Sequence, residues 1–436
     1  LRPELFGGSR AKGLALLGFT GTKPVLLMMG GSLGAQSVNK VLREALPDLL
    51  PSFDLCHICG KGNLAPELEG TPGYKQLEFV DKELPDMYRY KLDQIRALSE
   101  QCAADAAVHK RHRGVIGLPL GLNMYENLFF WVAFFHSLDF DLVISDISSR
   151  QLYAKGQYSV PSDTACYPAK LMHGHIENLL DKGVDTIFYP CMSYNFNEEK
   201  GDNHFNCPVV AYYPELLASN VEKLKNIRYL YPYLNLAERK TFPKKVWEAL
   251  HEQYLDITLK EVKRASDEAY EAYQAQRRDI REKGAQMQTQ ARARGVKTII
   301  LSGRPYHVDP EINHGINQLI TSLGLAVISE DCVSDLVTPV RPDVLNQWTY
   351  HTRLYNAAKY VTEHDDCELV QLVSFGCGID AITTDEVSAI LSRGGRLYTQ
   401  LKIDEINNLG AVKIRIRSLI GAVKERDAQK ETEKRA

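Results

Sequence analysis

Short apolar runs that stop at glycine or proline and give way to amphipathic stretches recur along most of this chain. That alternation restricts it to α/β architectures in which parallel strands are joined by crossover helices. Residues 24–29 (PVLLMM) lead into Gly30, Gly31, Ser32, Leu33, Gly34 and Ala35, which reads as a strand, a glycine turn and a helix start. Further strands are expected over 114–118, 142–145, 184–189, 209–212, 297–301 and 369–373. The greasiest run, 128–135, is too short to cross a bilayer and reads as a buried turn within a helix over 125–138. After Pro243 no proline occurs as far as Arg294, and Gly284 is the one glycine among dense Glu, Lys, Arg, Gln and Ala. This stretch is expected to form one long helix, or two in series, bridging domains. Around residues 87–108 the pattern loses its strands and turns polar and alanine-rich, marking a junction.

A length of 436 residues exceeds what one core supports, so two to four domains are expected. With 44% apolar and 25% charged residues the chain is globular rather than disordered. A formal net charge of −3 without a basic stripe argues against a nucleic-acid or anionic-membrane partner. No apolar segment follows a basic start, so no signal peptide is expected. Nine sparsely spaced cysteines, an odd number, do not make a disulfide framework. The expected compartment is the reducing cytoplasm, where cysteines serve metal or redox chemistry.

Three groups of residues can carry chemistry. The glycine turn at 30–35 can offer backbone amides to a phosphate, although the lysine of a phosphate loop is missing and a tight strand-to-helix connection is the commoner explanation of such a turn. Cys56 and Cys59 form a CxxC pair around His57, but DLCHIC alternates like a strand, which favours a buried structural pair over zinc. Cys166, Cys191, Cys207 and Cys377 are dispersed. Cys166 precedes a helix that carries Pro168 in its first turn, Cys191 follows the strand over 184–189, and Cys377 follows the strand over 369–373. Ligands of parallel sheets bind beyond the carboxyl ends of strands, and a helix N-terminus favours a thiolate, so three such cysteines can converge. Spacing alone still favours ordinary buried cysteines. Cys207 leads into the expected strand over 209–212 and is the weaker ligand candidate.

Other polar residues have plainer readings. His173 and His175 are two apart on a helix, cannot share a face, and read as surface or supporting residues. Arg304, Tyr306 and His307 follow the strand over 297–301, where they can meet an anionic substrate or a cluster, or stabilise a loop. Trp348, Tyr350, His351 and Arg353 share one expected helix and read as core packing. Glu405, Asn407 and Asn408 precede Gly410 at a helix end or a site edge.

Two resemblances add to this. GGSLGAQSVNKVLREALPDL, HICGKGN and LEFVDKELPDMY resemble the donor-binding half of the membrane-associated N-acetylglucosaminyl transferase of peptidoglycan synthesis, over residues 1–88. In that family the turn, here Gly31, Ser32, Gly34, Ala35 and Gln36, lies against a nucleotide sugar. The base-binding and ribose-binding segments do not follow Tyr88, and no acceptor domain precedes Leu1, so this segment is expected to be catalytically dead. GLPLGLNMYEN, SDTACYPAKLMHGHIENLLDKGVDTIFYPC, GRPYHVDPEINHGI, LVSFGCGIDAITTDE and LKIDEINNLGAVKIRIRSL resemble the 2-hydroxyacyl-CoA dehydratase superfamily, in its CoA-substrate-specific activase-related branch, over residues 114–418.

The second resemblance implies a cubane iron–sulfur cluster (4Fe–4S, or a double cubane) held by Cys166, Cys191 and Cys377 between Rossmann-like lobes. Arg304, Tyr306 and His307 are its catalytic candidates. It further implies an oxygen-sensitive, anaerobic function: low-potential single electrons passed to a CoA-thioester or other small substrate, energised by an ATPase activase. No DxGxT-type motif is present, so that activase is expected in trans, and a homodimer is a further expected assembly. The implied organisation is a partial Rossmann half at 1–88, a junction at 89–113 and a first lobe at 114–242. A helical bridge at 243–296, a second lobe at 297–423 and a charged, fraying tail at 424–436 follow. Competing expectations are a glycosyltransferase remnant and a non-catalytic accessory subunit.

Overall fold

The computed structural model describes residues 10–30, 36–60, 62–77, 84–108, 113–374, 377–406 and 408–435. The chain divides into two compact units, Leu1–Glu83 and Leu84–Ala436. In the first, Val25–Met29, Asp54–Ile58 and Tyr74–Leu77 make a parallel sheet in that order, with Val25 opposite Asp54 and Leu55 opposite Tyr74. The central strand is buried, with His57 between the Tyr74 hydroxyl (2.8 Å) and the Asn39 side chain (2.9 Å). Val25–Met29 is an edge whose outer face stays exposed, with Leu27 at 56% and Met29 at 61%.

The second unit holds two four-stranded parallel sheets with the same topology. In chain order the strands of the first are Val115–Leu118, Asp141–Ile144, Thr186–Phe188 and Arg228–Leu230. Those of the second are Thr298–Ser302, Ala326–Ser329, Cys367–Ser374 and Thr399–Ile403. Both are ordered second, first, third, fourth. The crossovers therefore diverge between the first and third strands, and this switch point opens a crevice at the carboxyl ends. The α/β, Rossmann-like character expected from the alternation is what the chain adopts. A small parallel pair, Cys191–Tyr194 with Tyr233–Asn235, extends beyond the first sheet.

The proline-poor stretch forms two helices in series, Phe242–His251 and Leu259–Ala293. The second is about 50 Å long at 1.5 Å per residue. Its start is fixed by a capping box: Thr258 Oγ1 accepts the Glu261 amide and Glu261 accepts the Thr258 amide. It packs along Met124–Ser137, whose Phe130, Trp131, Phe134 and Phe135 join Phe188, Phe242 and Tyr270 in an aromatic core. Gly284 lets this helix approach the second sheet, because a β-carbon there would lie 2.6 Å from Cys332 Cβ.

Three local expectations are corrected. Residues 209–212 are not a strand but lie in the helix Pro208–Asn220; Pro208 fits the first helical turn, where no amide donor is needed. Residues 424–436 are not a fraying tail through Arg435, since Leu409–Arg435 is one helix. Arg426 clasps Glu368 (3.2 Å), and Lys430 reaches Asp365 (2.9 Å). Most of the expected junction is the helix Met87–Val108, which belongs to the second unit. There Tyr88 donates to the Leu301 carbonyl (3.0 Å), and Met87 and Tyr88 are buried. Before it, the Val327 amide donates to the Pro85 carbonyl (2.8 Å).

Truncation distinguishes a cut at residue 83 from one at 88. A chain beginning at Leu84 is expected to melt at the temperature of the second unit within the full chain. One beginning at Arg89 loses buried Met87 and Tyr88 and should be weaker by at least about 2–5 kcal/mol. Calorimetry giving equal melting temperatures for both truncations would contradict this placement.

Candidate functional site

Three cysteines each stand at the N-terminus of a crossover helix. Cys166 caps the N-terminus of Tyr167–Asp181, Cys207 that of Pro208–Asn220, and Cys377 that of Gly378–Arg393. Each thiol thus sits at the positive end of a helix, where unpaired amides favour negative charge. The first two helices carry proline in their first turn, which fixes the chain direction at the cysteine. The Cys166 thiol is acted on by the charges of Cys207, Arg304 and Cys377, and the Cys207 thiol by those of Arg304 and Cys377. The buried Tyr306 hydroxyl answers to Arg304, Cys207 and Cys166. These side chains form one electrostatic neighbourhood.

Cys191 lies on a strand rather than at a helix N-terminus. It opens the strand Cys191–Tyr194, is fully buried, and accepts the backbone N–H of Glu215. Burial pushes its thiol up to about 11, with the Glu215 carboxylate adding to the rise. It is linked to Cys166 and Cys207 through Tyr189, on which all three act. Helix ends were expected to lower the thiol pKa values. Instead burial dominates, pushing Cys166 up to about 12 and Cys207 upward as well. Burial thus favours the protonated thiol at Cys166, Cys191 and Cys207, and a bound metal is what would displace such protons.

Arg304 anchors the cysteine group. It follows the strand Thr298–Ser302, at one side of the second switch point, while Cys377 follows Cys367–Ser374 at the other. Its guanidinium forks onto Asp380 at 2.6 and 3.3 Å, and its Nη2 donates to Cys377 Sγ at 3.4 Å. Asp380 is held in turn by the Ser374 amide (2.9 Å). Gly303 is required here, because a β-carbon would fall 2.2 Å from His307 Nδ1.

Behind this group runs a buried hydrogen-bond chain. Ser145 accepts the Leu120 amide (2.7 Å) and meets His175 Nδ1 at 2.8 Å. His175 Nε2 lies 3.0 Å from the Ser148 hydroxyl, which donates to Asp309. Tyr125 donates to the same Asp309 oxygen at 2.5 Å. Because Ser148 spends its proton on Asp309, His175 donates from Nε2 and accepts at Nδ1. Burial holds His175 neutral, lowered to about 3, and pushes Asp309 up to about 6.

The remaining sequence candidates fall as follows. His173 and His175 are fully buried rather than on the surface, His173 bonding Ser159 (2.8 Å) and Tyr213 (3.1 Å). Arg353 is a buried cation between Glu126 and Glu198, and His351 contacts Arg304 at 3.3 Å, so neither is mere packing. Glu405 meets Arg150 (3.3 Å) and Lys170 (3.7 Å), and Asn408 accepts the Gly410 amide at the start of the last helix. Cys56, Cys59, Cys332 and Cys367 are buried. Gly31, Ser32, Gly34, Ala35, Gly376 and Asn407 lie outside the described residues; Gln36 opens an exposed helix turn beside a cleft of about 500 Å³ that includes Asn39, Lys40 and Arg43.

Sequence reasoning missed Asp380 and the placement of His351, whose partner Arg304 is distant in the chain. It also missed Asn123 and Asn127, one helical turn apart and fully buried, whose amide oxygens and nitrogens find no partner within the described protein. The preceding Leu122 adopts φ of +46°, a left-handed conformation strained for leucine. A strained turn and unmatched amides at the end of Val115–Leu118 are marks of a ligand-facing loop.

Among the described residues no three His, Cys, Asp or Glu side chains are arranged to hold a metal ion. A multi-iron cluster is wider than one ion and keeps its thiolates apart. Three soft donors at helix N-termini, with Cys207 accepting the Val210 amide and Cys377 an Arg304 N–H, suit that kind of group by their chemistry.

Asp309 supplies a pH test. Its folded pKa is raised, so its contribution to stability is complete below its unfolded value near 4 and is lost as pH rises through 6. Asp309→Asn, which stays neutral, should gain on the wild type by about 2–3 kcal/mol between pH 4 and 7. Urea unfolding of both proteins at the two ends of that window measures the difference; a constant difference would refute the shift.

Comparison with known proteins divides the chain in the same way. The family described as CoA enzyme activase uncharacterised domain (DUF2229) matches residues 115–333, half of the chain. The N-terminal segment is similar to peptidoglycan transferases named UDP-N-acetylglucosamine–N-acetylmuramyl-(pentapeptide) pyrophosphoryl-undecaprenol N-acetylglucosamine transferase. It is 53% identical over 87 residues to one from Bacillus cereus, covering 20% of this chain and 25% of that protein. Identity is 55% over 87 residues with the Geobacillus thermodenitrificans protein (20% and 24% covered). The Clostridium botulinum protein is 45% identical over 89 residues (20% and 25% covered). The chain thus spans about a quarter of the length of these relatives. A glucosamine-6-phosphate deaminase structure from Thermotoga maritima covers 77% of this chain and 93% of its own at 9% identity, with a TM-score of 0.18 that carries no argument. No described helix is long and apolar enough to cross a membrane. Through residues 115–333, the chain belongs to the CoA enzyme activase-related family.

Proposed function

We propose that the second unit is an iron–sulfur protein of the 2-hydroxyacyl-CoA dehydratase type, whose cluster is held by Cys166, Cys207 and Cys377. The observation that carries this is the shared position of the three cysteines, each capping a helix and all acting with Arg304 in one electrostatic neighbourhood. Membership of the family described as CoA enzyme activase uncharacterised domain supports the dehydratase-type part of this reading. When bound, the cluster would supply low-potential single electrons for dehydration or reduction of a small or CoA-linked substrate, with a separate ATPase as the energy source.

The chain's own residues give this chemistry its setting. Helix N-termini offset the negative charge of three thiolates, and Arg304, fixed by Asp380, adds a buried positive charge beside Cys377. A hydrogen bond to a ligand sulfur is one of the levers that tune a cluster's potential. Tyr306 and Tyr189 are buried and act with the thiols of Cys166 and Cys207. Three cysteines would supply fewer thiolates than a cubane has irons, so such a cluster would offer a position to substrate or to a second cubane. Cys191 shares Tyr189 with the group and is proposed as a supporting residue rather than a ligand.

For Leu1–Glu83 a separate reading rests on its identity to the transferases: a piece of a nucleotide-sugar-binding fold.

Anaerobic reconstitution followed by iron and sulfide analysis tests the ligand set. Cys166→Ala, Cys207→Ala and Cys377→Ala should each lose most of the iron and the violet-blue absorption shoulder. Cys191→Ala, Cys332→Ala and Cys367→Ala should retain them. If Cys207→Ala keeps a full complement while Cys191→Ala loses it, the ligand set is wrong. A wild-type protein that stays colourless would remove the cluster altogether and favour an accessory role.

A further inference from the structure

Two imidazoles flank Arg304, and their partners assign the tautomer of each. The Arg304 backbone amide reaches His307 Nδ1 at 3.1 Å, and the Arg304 side chain reaches His351 Nε2 at 3.3 Å. An amide and a guanidinium can only donate, so these ring nitrogens accept. The proton of His307 is therefore on Nε2 and that of His351 on Nδ1. Neither N–H has a partner within the described protein, although His307 is 0% and His351 3% exposed. A third donor, Gln371 Nε2, is buried and unmatched on the strand Cys367–Ser374. Gln371 lies opposite Ser302, two residues before Arg304, and the Ser302 hydroxyl is likewise unmatched.

Buried polar groups in folded proteins find partners, so unmatched N–H groups on the two rings that contact Arg304 mark a place built for something else. The three unmatched N–H groups are donors, and what they lack is an acceptor. We propose that His307 and His351 are the oxygen-binding donors of this site, receiving a carbonyl or carboxylate oxygen of the substrate beside Arg304. The inference rests on the reading of the Cys166, Cys207 and Cys377 group as the ligand site.

Charge explains why histidine serves here. Burial lowers both rings well below the ordinary histidine value, and the Arg304 charge lowers them further. Two neutral N–H donors can stabilise negative charge developing on an oxygen without adding like charges beside Arg304. This makes His351 a substrate-contacting residue on a helix otherwise devoted to packing and to the Arg353 ion pairs, and it gives His307 a role beyond shaping its turn.

The test is long-range proton–nitrogen NMR on the full chain labelled with ¹⁵N-histidine, prepared without iron so that tautomers are read independently of any cluster. His307 should show the Nε2–H form and His351 the Nδ1–H form. Acetyl-CoA, as a thioester-carbonyl probe, or acetate, as a carboxylate probe, should shift both N–H signals saturably; which probe acts distinguishes the two sources of oxygen. His351→Phe should abolish the response at His307 or weaken it at least tenfold in apparent affinity. His351→Gln, which keeps a donor and guards against a folding artefact, should retain it. The opposite tautomers, or N–H signals unmoved by both probes, would overturn the proposal. Iron uptake by the same wild-type preparation is measured afterwards, so failure of the cluster reading shows separately from failure of the donor pair.

Discussion

Arg353 is fully buried, and its guanidinium lies 2.6 Å from both Glu126 and Glu198. Arg277 lies 3.2 Å from Glu198, 3.6 Å from Glu126 and 3.9 Å from Asp331, which also holds Lys91 at 2.6 Å. Burial penalises every one of these charges, and the opposing charges hold Glu198 ionised, lowered to about 2. Such a network adds little net stability, but removing one member costs about 3–5 kcal/mol. It therefore acts chiefly by penalising alternatives. Its members come from Met87–Val108, Met124–Ser137, Leu259–Ala293, the turn Glu330–Cys332 and Thr349–Glu363, with Glu198 between them. Elements of both four-stranded sheets must be in register before every charge is matched.

That register is what brings dispersed cysteines together. Cys166 and Cys207 belong to the first sheet's connections and Cys377 to the second's, so their shared neighbourhood exists only when the sheets are docked. Arg304 stands where the two meet. Its fork onto Asp380 fixes a cation beside Cys377, and the cost of burying that ion pair is offset by the contacts it enforces. The raised thiol pKa values fit the same logic: the site is costly to charge when empty, so binding a metal there couples proton release to occupancy.

Much of this was legible in the sequence, and the exceptions have local causes. Apolar runs ending at glycine or proline located the parallel strands, and the proline-poor stretch announced the long helix together with Gly284. Residues 209–212 misled because valines and tyrosines favour strands, while the decisive signal was Pro208 at a helix start. The same signal bears on the proposed ligand set. Following a strand made Cys191 attractive, yet it opens another strand, paired with Tyr233–Asn235. Cys207, like Cys166, is followed within two residues by a proline in a first helical turn, and that repeated pattern was available to be used. The partners of Arg353, His351 and Asp380 were beyond reach, because each lies far along the chain and no spacing rule links them.

The central claim is that Cys166, Cys207 and Cys377 share one cluster. Anomalous diffraction at the iron edge, from crystals of the anaerobically reconstituted full chain, measures this most directly. The account predicts an iron peak enclosed by the three helix N-termini, with Arg304 beside Cys377 and Cys191 outside bonding distance. A peak bonded to Cys191 in place of Cys207, or no iron at this position in an iron-loaded protein, would contradict it.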